Sequence, residues 1–190
     1  MNLVPVLSFA KDVLQKAVRP GDIVIDATVG NGHDTVFLAD LVGPSGRVYG
    51  FDIQEDAILS TNRRLTEKGS YDRVSLFLES HANVKTAIPE DVHGTIKAAI
   101  FNLGYLPGSD KQVITRSDST IHAIKELFDI LTAGGLIVLV VYHGHEGGKE
   151  EKEALLSYLS SLDQKKAHVL HYQFINQKND PPFVMAVEKR

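Results

Sequence analysis

The 190-residue sequence contains no cysteine and no tryptophan, and it has no long uninterrupted apolar segment. Without cysteine the chain can form neither disulfides nor thiolate metal sites, and it has no cysteine nucleophile. A membrane-spanning helix needs about 20 consecutive apolar residues, and no segment reaches that length. Near the N-terminus, Asp12 and Lys16 interrupt the region where a signal peptide needs a continuous apolar core. These absences predict a cytoplasmic protein without a membrane partner.

An excess of positive charge is also lacking, because the 24 acidic residues outnumber the 20 basic ones and give a net charge of −4. Binding to nucleic acid normally relies on lysine and arginine to neutralise phosphates. If this chain binds RNA, it must therefore use a local basic patch. The 43% hydrophobic content suffices for a sizeable core. Since no repeat or linker divides the chain, we expect a single domain over residues 1–190.

Seven short runs rich in β-branched residues predict strands, at 23–27, 47–52, 74–79, 97–103, 136–142, 168–175 and 183–189. Helix-length amphipathic segments separate them. Repeated strand–helix–strand units with nearly continuous apolar strands favour a parallel sheet that helices cover on both faces. The sequence therefore predicts a doubly wound, Rossmann-like α/β fold with a seven-stranded sheet.

Two features at the ends of the chain modify this fold. An amphipathic N-terminal segment that includes Val6, Leu14 and Ala17 predicts an extra helix before the first strand. The last two predicted strands are separated only by residues 176–182, which are too few for a helical crossover. They must pair as a hairpin, so the sheet should end in an antiparallel strand.

The helix before the fifth predicted strand has an apolar face that includes Ile124, Leu127 and Leu131. Directly after this face, the sequence continues with Gly134 and Gly135. Glycine is common just beyond the last residue of a helix. The two glycines therefore predict the end of the helix.

The first predicted strand runs through Asp26 into a glycine-containing turn that opens a helix. Ligands of open α/β sheets bind beyond the carboxyl ends of the strands, where glycine lets the backbone approach a nucleotide. The dinucleotide fingerprint G-x-G-x-x-G is not matched, because Thr28 or Thr35, depending on the frame, stands where a glycine is required. Asp26 is better suited to the ammonium group of an amino-acid ligand, which a dinucleotide lacks.

The next two strands also end in polar residues that suit an adenosine-containing ligand. Asp52 closes the second strand, where a carboxylate can accept hydrogen bonds from both ribose hydroxyls. NAD enzymes share this feature, so Asp52 alone does not distinguish between cofactors. After the third strand, Ser80 or His81 can contact an adenine ring, although Ser80 is nearly as well suited to capping a helix.

The fourth predicted strand leads into IFNLGYLPG, residues 100–108, in which Asn102 precedes Tyr105. This segment resembles the Asn-Pro-Pro-Tyr type motif of amino-group methyltransferases, with Leu103 and Gly104 in place of the two prolines. In that motif the asparagine and a backbone carbonyl orient the target nitrogen, and the aromatic ring stacks on a base. An amine attacks a methyl group only through its free lone pair, so acceptors must align its N–H bonds.

After the fifth strand, the sequence YHGHEGG places two histidines, His143 and His145, two residues apart. Local spacing offers no third ligand, which disfavours a metal site. A neutral imidazole at His143 could contact substrate or take a proton from an incoming amine. The alternative is that both histidines only stabilise a loop.

The segments DATVGNGHDTVFLA, FDIQ, ESHAN, FNLGYLPGSDK and VYHGHEGG together are similar to class I S-adenosylmethionine-dependent methyltransferases. Within that class, the whole chain resembles a small bacterial family first labelled as rRNA methylases, whose members are tRNA 5-(aminomethyl)-2-thiouridine methyltransferases. The resemblance implies methylation of the amine of 5-aminomethyl-(2-thio)uridine at the wobble position of tRNA. S-adenosylmethionine would be converted to S-adenosylhomocysteine, with no metal.

The same resemblance implies the roles of individual residues. The methionine end of the cofactor would be held by Asp26, Thr28, Gly30, Asn31, Gly32, Asp34 and Thr35. The ribose would contact Asp52 and Gln54, the adenine Ser80 and His81, and the transferring methyl Asn102, Leu103 and Tyr105, with His143 as a further catalytic candidate. Because the chain is acidic, we expect it to bind the anticodon stem-loop through local contacts from Lys111 and Arg116, near the active-site loop. The family analogy is compatible with a homodimer.

Three alternatives stay open on the sequence alone. The acceptor could be an rRNA base amine or a small-molecule amine, which the negative net charge would favour. The chain could also be an inactive module that only binds S-adenosylmethionine or a nucleotide, although binding alone does not require the loop that follows Asn102. An NAD dehydrogenase is disfavoured by the altered glycine pattern and the terminal hairpin.

Overall fold

The computed structural model describes residues 2–104, 117–145 and 147–190. The strands are β1 (Ile23–Asp26), β2 (Arg47–Asp52), β3 (Val74–Leu78), β4 (Ile96–Leu103), β5 (Leu131–Val141), β6 (Ala167–Tyr172) and β7 (Phe183–Lys189). The helices are α1 (Val6–Ala17), α2 (His33–Val42), α3 (Glu55–Lys68), α4 (Val84–Ala87), α5 (Ser117–Ile130) and α6 (Gly148–Ser160). Within these ranges no helix is both long enough and apolar enough to cross a membrane.

The strands form one sheet in the order β3-β2-β1-β4-β5-β7-β6. Strands β1 to β5 pair in parallel, whereas β7 is antiparallel to both β5 and β6. The predicted antiparallel end of the sheet is therefore confirmed. The chain winds outward from β1 to β3 and then returns to β4, so β1 and β4 are neighbours where the winding direction reverses. Ligands of such sheets bind beyond the carboxyl ends of the strands at this switch point.

Alternate side chains of each central strand enter two apolar layers, one on each face of the sheet. On β4, Phe101 and Leu103 pack with the buried faces of α5 and α6. The neighbouring Ala98 and Ile100 pack with α1 and α2 on the other face. The position of a residue along a strand therefore decides which helices it meets.

The predicted N-terminal helix is confirmed as α1, which buries Leu14 completely. Its Phe9 ring stacks on Tyr172 at the end of β6, with 4.0 Å between the ring centroids. The hydroxyl of Tyr172 also donates a hydrogen bond of 2.7 Å to the carbonyl oxygen of Val4. Helix α1 is thus attached to the terminal hairpin as well as to the central sheet.

The start of β5 corrects the sequence-based prediction. Helix α5 ends one residue before Leu131, which pairs with Ile96 of β4 as the first residue of β5. Gly134 and Gly135 lie inside the strand, next to a shift in its register with β4. Gly134 has a φ of +70°, and a Cβ on Gly135 would lie 2.8 Å from a backbone carbonyl oxygen. The glycines therefore permit an irregularity in the strand and do not cap the helix.

The connection between β6 and β7 begins three residues earlier than predicted and covers residues 173–182. Within it Asn179 and Asp180 have φ values of 65° and 48°. Asparagine and aspartate tolerate this left-handed conformation better than most residues. The longer loop therefore leaves the predicted hairpin intact.

Candidate active site

A cavity of about 770 Å³ opens beyond the carboxyl ends of β1, β2 and β4. Small-molecule sites typically have volumes of roughly 300–1,000 Å³. The walls come from the loop after β1, the ends of β2, β3 and β4, and one side of α1. Among the residues predicted from sequence, those that line it are Thr28, Gly30, Asn31, Asp34, Asp52, Gln54, Ser80, His81, Asn102 and Leu103.

A second depression, of about 970 Å³, lies at the opposite edge of the sheet, where the parallel strands begin. It is an open groove between the end of α1 and strand β6, bordered by Lys16, Lys97 and Glu188. No glycine turn opens a helix there. Fold and loop chemistry therefore both favour the cavity at the carboxyl edge.

The glycine-containing loop is bent around Gly30 and Gly32, whose φ values of 52° and 76° are left-handed. The backbone N–H of Gly30 donates to Oδ2 of Asp52 at 2.8 Å. A Cβ at Gly32 would lie only 2.5 Å from Oγ1 of Thr61. Glycine is thus required at position 32 by both the backbone conformation and the close approach of α3.

Helix α3 supports this loop through two residues that the sequence analysis did not identify. Thr61, which is fully buried, donates to the carbonyl oxygen of Gly30 at 3.1 Å. Arg64 donates through Nε to the carbonyl oxygen of Asn31 at 2.9 Å. The one available signal is that Thr61 occupies a polar position in the otherwise apolar stripe between Ala57 and Leu65.

Asp26 is completely buried behind the loop and does not line the cavity. The hydroxyl of Thr35 donates to its Oδ2 at 2.6 Å, and the N–H of Thr28 donates to its Oδ1 at 3.2 Å. Burial raises the pKa of Asp26 to about 7, while the hydrogen bond from Thr35 opposes this shift. Asp26, Thr35 and Gly32 are thus buried and do not line the cavity, and their assignment to the methionine end of the cofactor stays a prediction.

Asp52 lies at the cavity wall with both carboxylate oxygens bound to the backbone. Besides the contact with Gly30, its Oδ1 accepts from the N–H of Gln54 at 2.9 Å. These bonds fix the carboxylate at the end of β2, and each oxygen keeps capacity for a further acceptor bond. The arrangement suits the hydroxyl groups of a ribose.

His81 presents a neutral ring at the end of the cavity beside β3. Its Nδ1 lies 3.1 Å from the carbonyl oxygen of Ala27, which can only accept, so Nδ1 carries the proton. Burial lowers the pKa of His81, and Nε2 has no hydrogen-bond partner within the described ranges. The adjacent Ser80 accepts from the N–H of Ala82 at 3.2 Å, which is the capping role considered as the alternative.

Asn102 ends β4 inside the cavity and is held at both its backbone and its side chain. Its N–H donates to Oγ1 of Thr28 at 2.6 Å. Its Nδ2 donates to Oδ2 of Asp34 at 2.8 Å. The other oxygen of Asp34 forms an ion pair of 3.4 Å with Lys11 of α1. Sequence analysis found Asn102 and Asp34 separately, but it did not predict this pairing or the part played by Lys11.

His143 is buried on the side away from the cavity and does not line it. Its Nε2 lies 3.5 Å from Nζ of Lys152, and its ring packs edge-on against Phe183. Burial lowers the pKa of His143. The preceding Tyr142 lines the cavity instead. Alternation of side chains beyond β5 explains this outcome, because neighbouring residues point to opposite faces.

Other candidates lie outside the described residues, namely Tyr105, Lys111 and Arg116. Within the described parts of the chain, no three His, Asp or Glu side chains are grouped as metal ligands would be.

These groups fit S-adenosylmethionine. A bent glycine loop, a fixed carboxylate at Asp52 and the unpaired Nε2 of buried His81 follow one another along the cavity at the ends of β1, β2 and β3. They suit an amino-acid end, a ribose and an adenine amino group, in that order. Together with the antiparallel β7, they define a class I S-adenosylmethionine-dependent methyltransferase.

Comparison with known proteins gives the family. Residues 48–188 match the family described as "Putative rRNA methylase", and the chain belongs to that family. The tRNA (mnm(5)s(2)U34)-methyltransferase of Arabidopsis thaliana, a chloroplastic protein, is 40% identical over 185 residues, which cover 93% of this chain and 67% of the plant protein.

Two solved structures are similar over nearly their whole length. A crystal structure from Clostridium thermocellum with the same description as the family has a TM-score of 0.96 and 44% identity, with complete coverage of both chains. A Streptococcus mutans methyltransferase in complex with S-adenosylhomocysteine has a TM-score of 0.88 and 39% identity, with 99% coverage of both. The cofactor of this protein is accordingly S-adenosylmethionine.

Proposed function

We propose that this protein transfers a methyl group from S-adenosylmethionine to the amine of 5-aminomethyl-(2-thio)uridine at the wobble position of tRNA. The plant relative supports this acceptor, because its name specifies mnm5s2U34 in tRNA and the match covers 93% of the chain. The observation that carries the proposal is Asn102, whose amide lies in the cavity at the end of β4. An amide at this point suits an amine acceptor.

The cofactor would be held by residues from three strand ends. The backbone of Gly30 and Asn31 would face its methionine end, and Asp52 its ribose, with Gln54 beside it. Nε2 of His81 would accept from the adenine amino group, since the tautomer fixed by Ala27 leaves a lone pair there. The resemblance also assigns Thr28, Asp34, Ser80 and Leu103 to the cofactor site, and all four line the cavity.

Bound S-adenosylmethionine supplies a methyl group on a positively charged sulfur, so the methyl carbon is electrophilic. The acceptor amine must be neutral, because its lone pair forms the new bond to carbon. Oδ1 of Asn102 would accept one N–H of the amine and so direct that lone pair. The amine then has one proton too many, which would pass to water, because the base candidate His143 does not line the cavity.

The proposal extends to how the tRNA binds. The site would receive a wobble nucleotide from the anticodon stem-loop, with Tyr105 stacking on the base and Lys111 and Arg116 contacting phosphates. The net charge of −4 fits local contacts better than a broad basic surface. A cytoplasmic location and a homodimer likewise stay predictions.

An in vitro methyl-transfer assay tests the proposal directly. The protein is incubated with methyl-labelled S-adenosylmethionine and either total tRNA or ribosomal RNA from cells that lack it. We expect label in tRNA, converted to a 5-methylaminomethyl uridine nucleoside. The family description keeps ribosomal RNA as the second candidate. Label confined to ribosomal RNA would replace the tRNA proposal with that one.

A further inference from the structure

Asp34 is the point where three elements of the site meet. It lies in the first turn of α2, and its two carboxylate oxygens have different partners. Oδ2 accepts from Nδ2 of Asn102 at 2.8 Å, and Oδ1 lies 3.4 Å from Nζ of Lys11. Both Asp34 and Asn102 line the cavity, and the side chain of Asp34 is only 20% exposed. This carboxylate therefore connects α1 and α2 to the end of β4.

The partner of Asn102 determines which way its amide is turned. An amide side chain can rotate to exchange its oxygen and nitrogen, and a partner that both donates and accepts, such as a hydroxyl, tolerates either orientation. An ionised carboxylate only accepts hydrogen bonds, so the nitrogen of Asn102 must face it. Nζ of Lys11, which can only donate, lies 3.4 Å from Oδ1, so both oxygens of Asp34 face donors. Oδ1 of Asn102 is consequently turned away from Asp34.

We propose that Asp34 is a positioning residue, which locks the Asn102 amide with Oδ1 presented to the acceptor amine. The inference rests on the proposed function, because it assigns Asn102 the orientation of an amine. The backbone of Asn102 is fixed separately by Thr28 at 2.6 Å. Rotation of the amide is thus the motion that Asp34 removes. With that orientation lost, Nδ2 would meet the acceptor and repel its N–H bonds.

The pairing is tested first in the protein without substrate, by NMR of its side-chain amides. The Asn102 signals are assigned by their loss in Asn102→Ala. We expect one Asn102 side-chain proton to be shifted by its hydrogen bond and protected from solvent exchange, and Asp34→Ala to abolish both effects. The matched control is Asp40→Ala, an exposed aspartate on the same helix, which should change neither. An Asn102 amide that is unaffected by Asp34→Ala would overturn the proposal.

A double-mutant cycle then tests whether Asp34 acts through Asn102. Asp34→Ala should lower kcat of tRNA methylation by up to about 100-fold, the scale expected when a reacting group is misplaced. Because Asp34 is also a candidate contact of the cofactor, kcat is measured at saturating S-adenosylmethionine, so that a change in cofactor affinity does not enter it. Combining Asp34→Ala with Asn102→Ala should cost no more activity than Asn102→Ala alone, because the same interaction is removed twice.

The outcomes separate this inference from the proposed function. If the two substitutions multiply in their effect on kcat, or if Asp34→Ala mainly weakens binding of S-adenosylhomocysteine, Asp34 acts on the cofactor and the inference fails. If the wild-type protein does not methylate tRNA, the proposed function fails, and the presentation of Oδ1 to that acceptor fails with it. The NMR comparison still decides the Asp34–Asn102 pairing in that case.

Discussion

Asn102 is the residue on which the proposed chemistry depends most. Substitution Asn102→Ala removes the acceptor that would align the amine, while the N–H bonded to Thr28 is retained. We expect kcat to fall by about 100-fold or more, within the range of contributions from positioned catalytic groups. Binding of S-adenosylhomocysteine, measured by calorimetry, should persist. Unchanged methylation in this variant would show that Asn102 is not catalytic.

Asp26 should make the stability of the protein depend on pH. Its pKa of about 7 in the folded chain exceeds the ordinary value of 3.8, so the folded chain holds the proton more tightly than the unfolded one. The resulting stabilisation is complete below 3.8 and is lost as pH rises through 7. Asp26→Asn keeps the shape of the side chain and should remove this dependence.

This prediction is checked by urea denaturation of wild type and Asp26→Asn between about pH 4 and 8. That range is set by the two pKa values of Asp26, 3.8 and about 7. The free energy of unfolding should decline toward pH 8 more steeply in wild type than in the variant. Asp40→Asn, at an exposed position on α2, is the control and should follow wild type. Parallel pH profiles for wild type and Asp26→Asn would contradict the assignment.

Individual site residues could be predicted to the extent that their position follows from the strand pattern. Asp52 and Asn102 lie at the carboxyl ends of predicted strands, and the structure brings both to the cavity. Their partners could not be predicted, because Thr61 and Lys11 approach from helices whose relative placement no local pattern defines. The orientation of His143 also required the structure, since the sequence does not show whether His143 or the preceding Tyr142 faces the cavity.

At the scale of elements, α3 holds the glycine loop in shape. Thr61→Val keeps nearly the same volume but removes the hydroxyl that donates to the carbonyl of Gly30. Losing this partly buried hydrogen bond should cost about 0.5–1.5 kcal/mol of stability and weaken cofactor binding. Thermal denaturation and calorimetry with S-adenosylhomocysteine measure the two effects.

The matched control for this prediction is Thr66→Val on the same helix. Thr66 is exposed, and its hydroxyl donates to the carbonyl of Asn62 in the preceding turn. This variant should leave cofactor affinity unchanged. Equal losses of affinity in both variants would mean that α3 acts through its general stability rather than through the contact with Gly30.

Helices and strands were predictable where hydrophobic periodicity was strong, and less so where a glycine is compatible with two kinds of local structure. Strands β2 and β7 begin and end at the predicted residues, because an apolar run is bounded by polar or turn residues on each side. The predicted end of α5 was wrong, since glycine after an apolar face can mark either a helix end or a strand irregularity. Pairing of Leu131 with Ile96 decides for the strand.

At the scale of the whole molecule, α1 joins the stability of the fold to the site. Its Leu14 is completely buried between the helix and the sheet, while Lys11 and Leu7 on the same helix line the cavity. Leu14→Ala should lower the free energy of unfolding by about 2–5 kcal/mol, as for other buried leucines. Urea denaturation measures this loss.

Leu59→Ala provides the comparison for that prediction, because the same truncation is made at a leucine that is 54% exposed. It should change stability by less than about 0.5 kcal/mol. A loss of stability in Leu14→Ala as small as that in Leu59→Ala would show that α1 is not part of the cooperative core. The prediction of one domain over residues 1–190 would then require revision.

The central claim concerns the acceptor, and nucleoside mass spectrometry of tRNA from living cells tests it most directly. The gene for this protein is deleted, and the cells are complemented with wild type or with Asn102→Ala. The account predicts that 5-methylaminomethyl uridines disappear on deletion, that 5-aminomethyl uridines accumulate, and that only wild type restores the methylated form. An unchanged level of 5-methylaminomethyl uridines after deletion would contradict it.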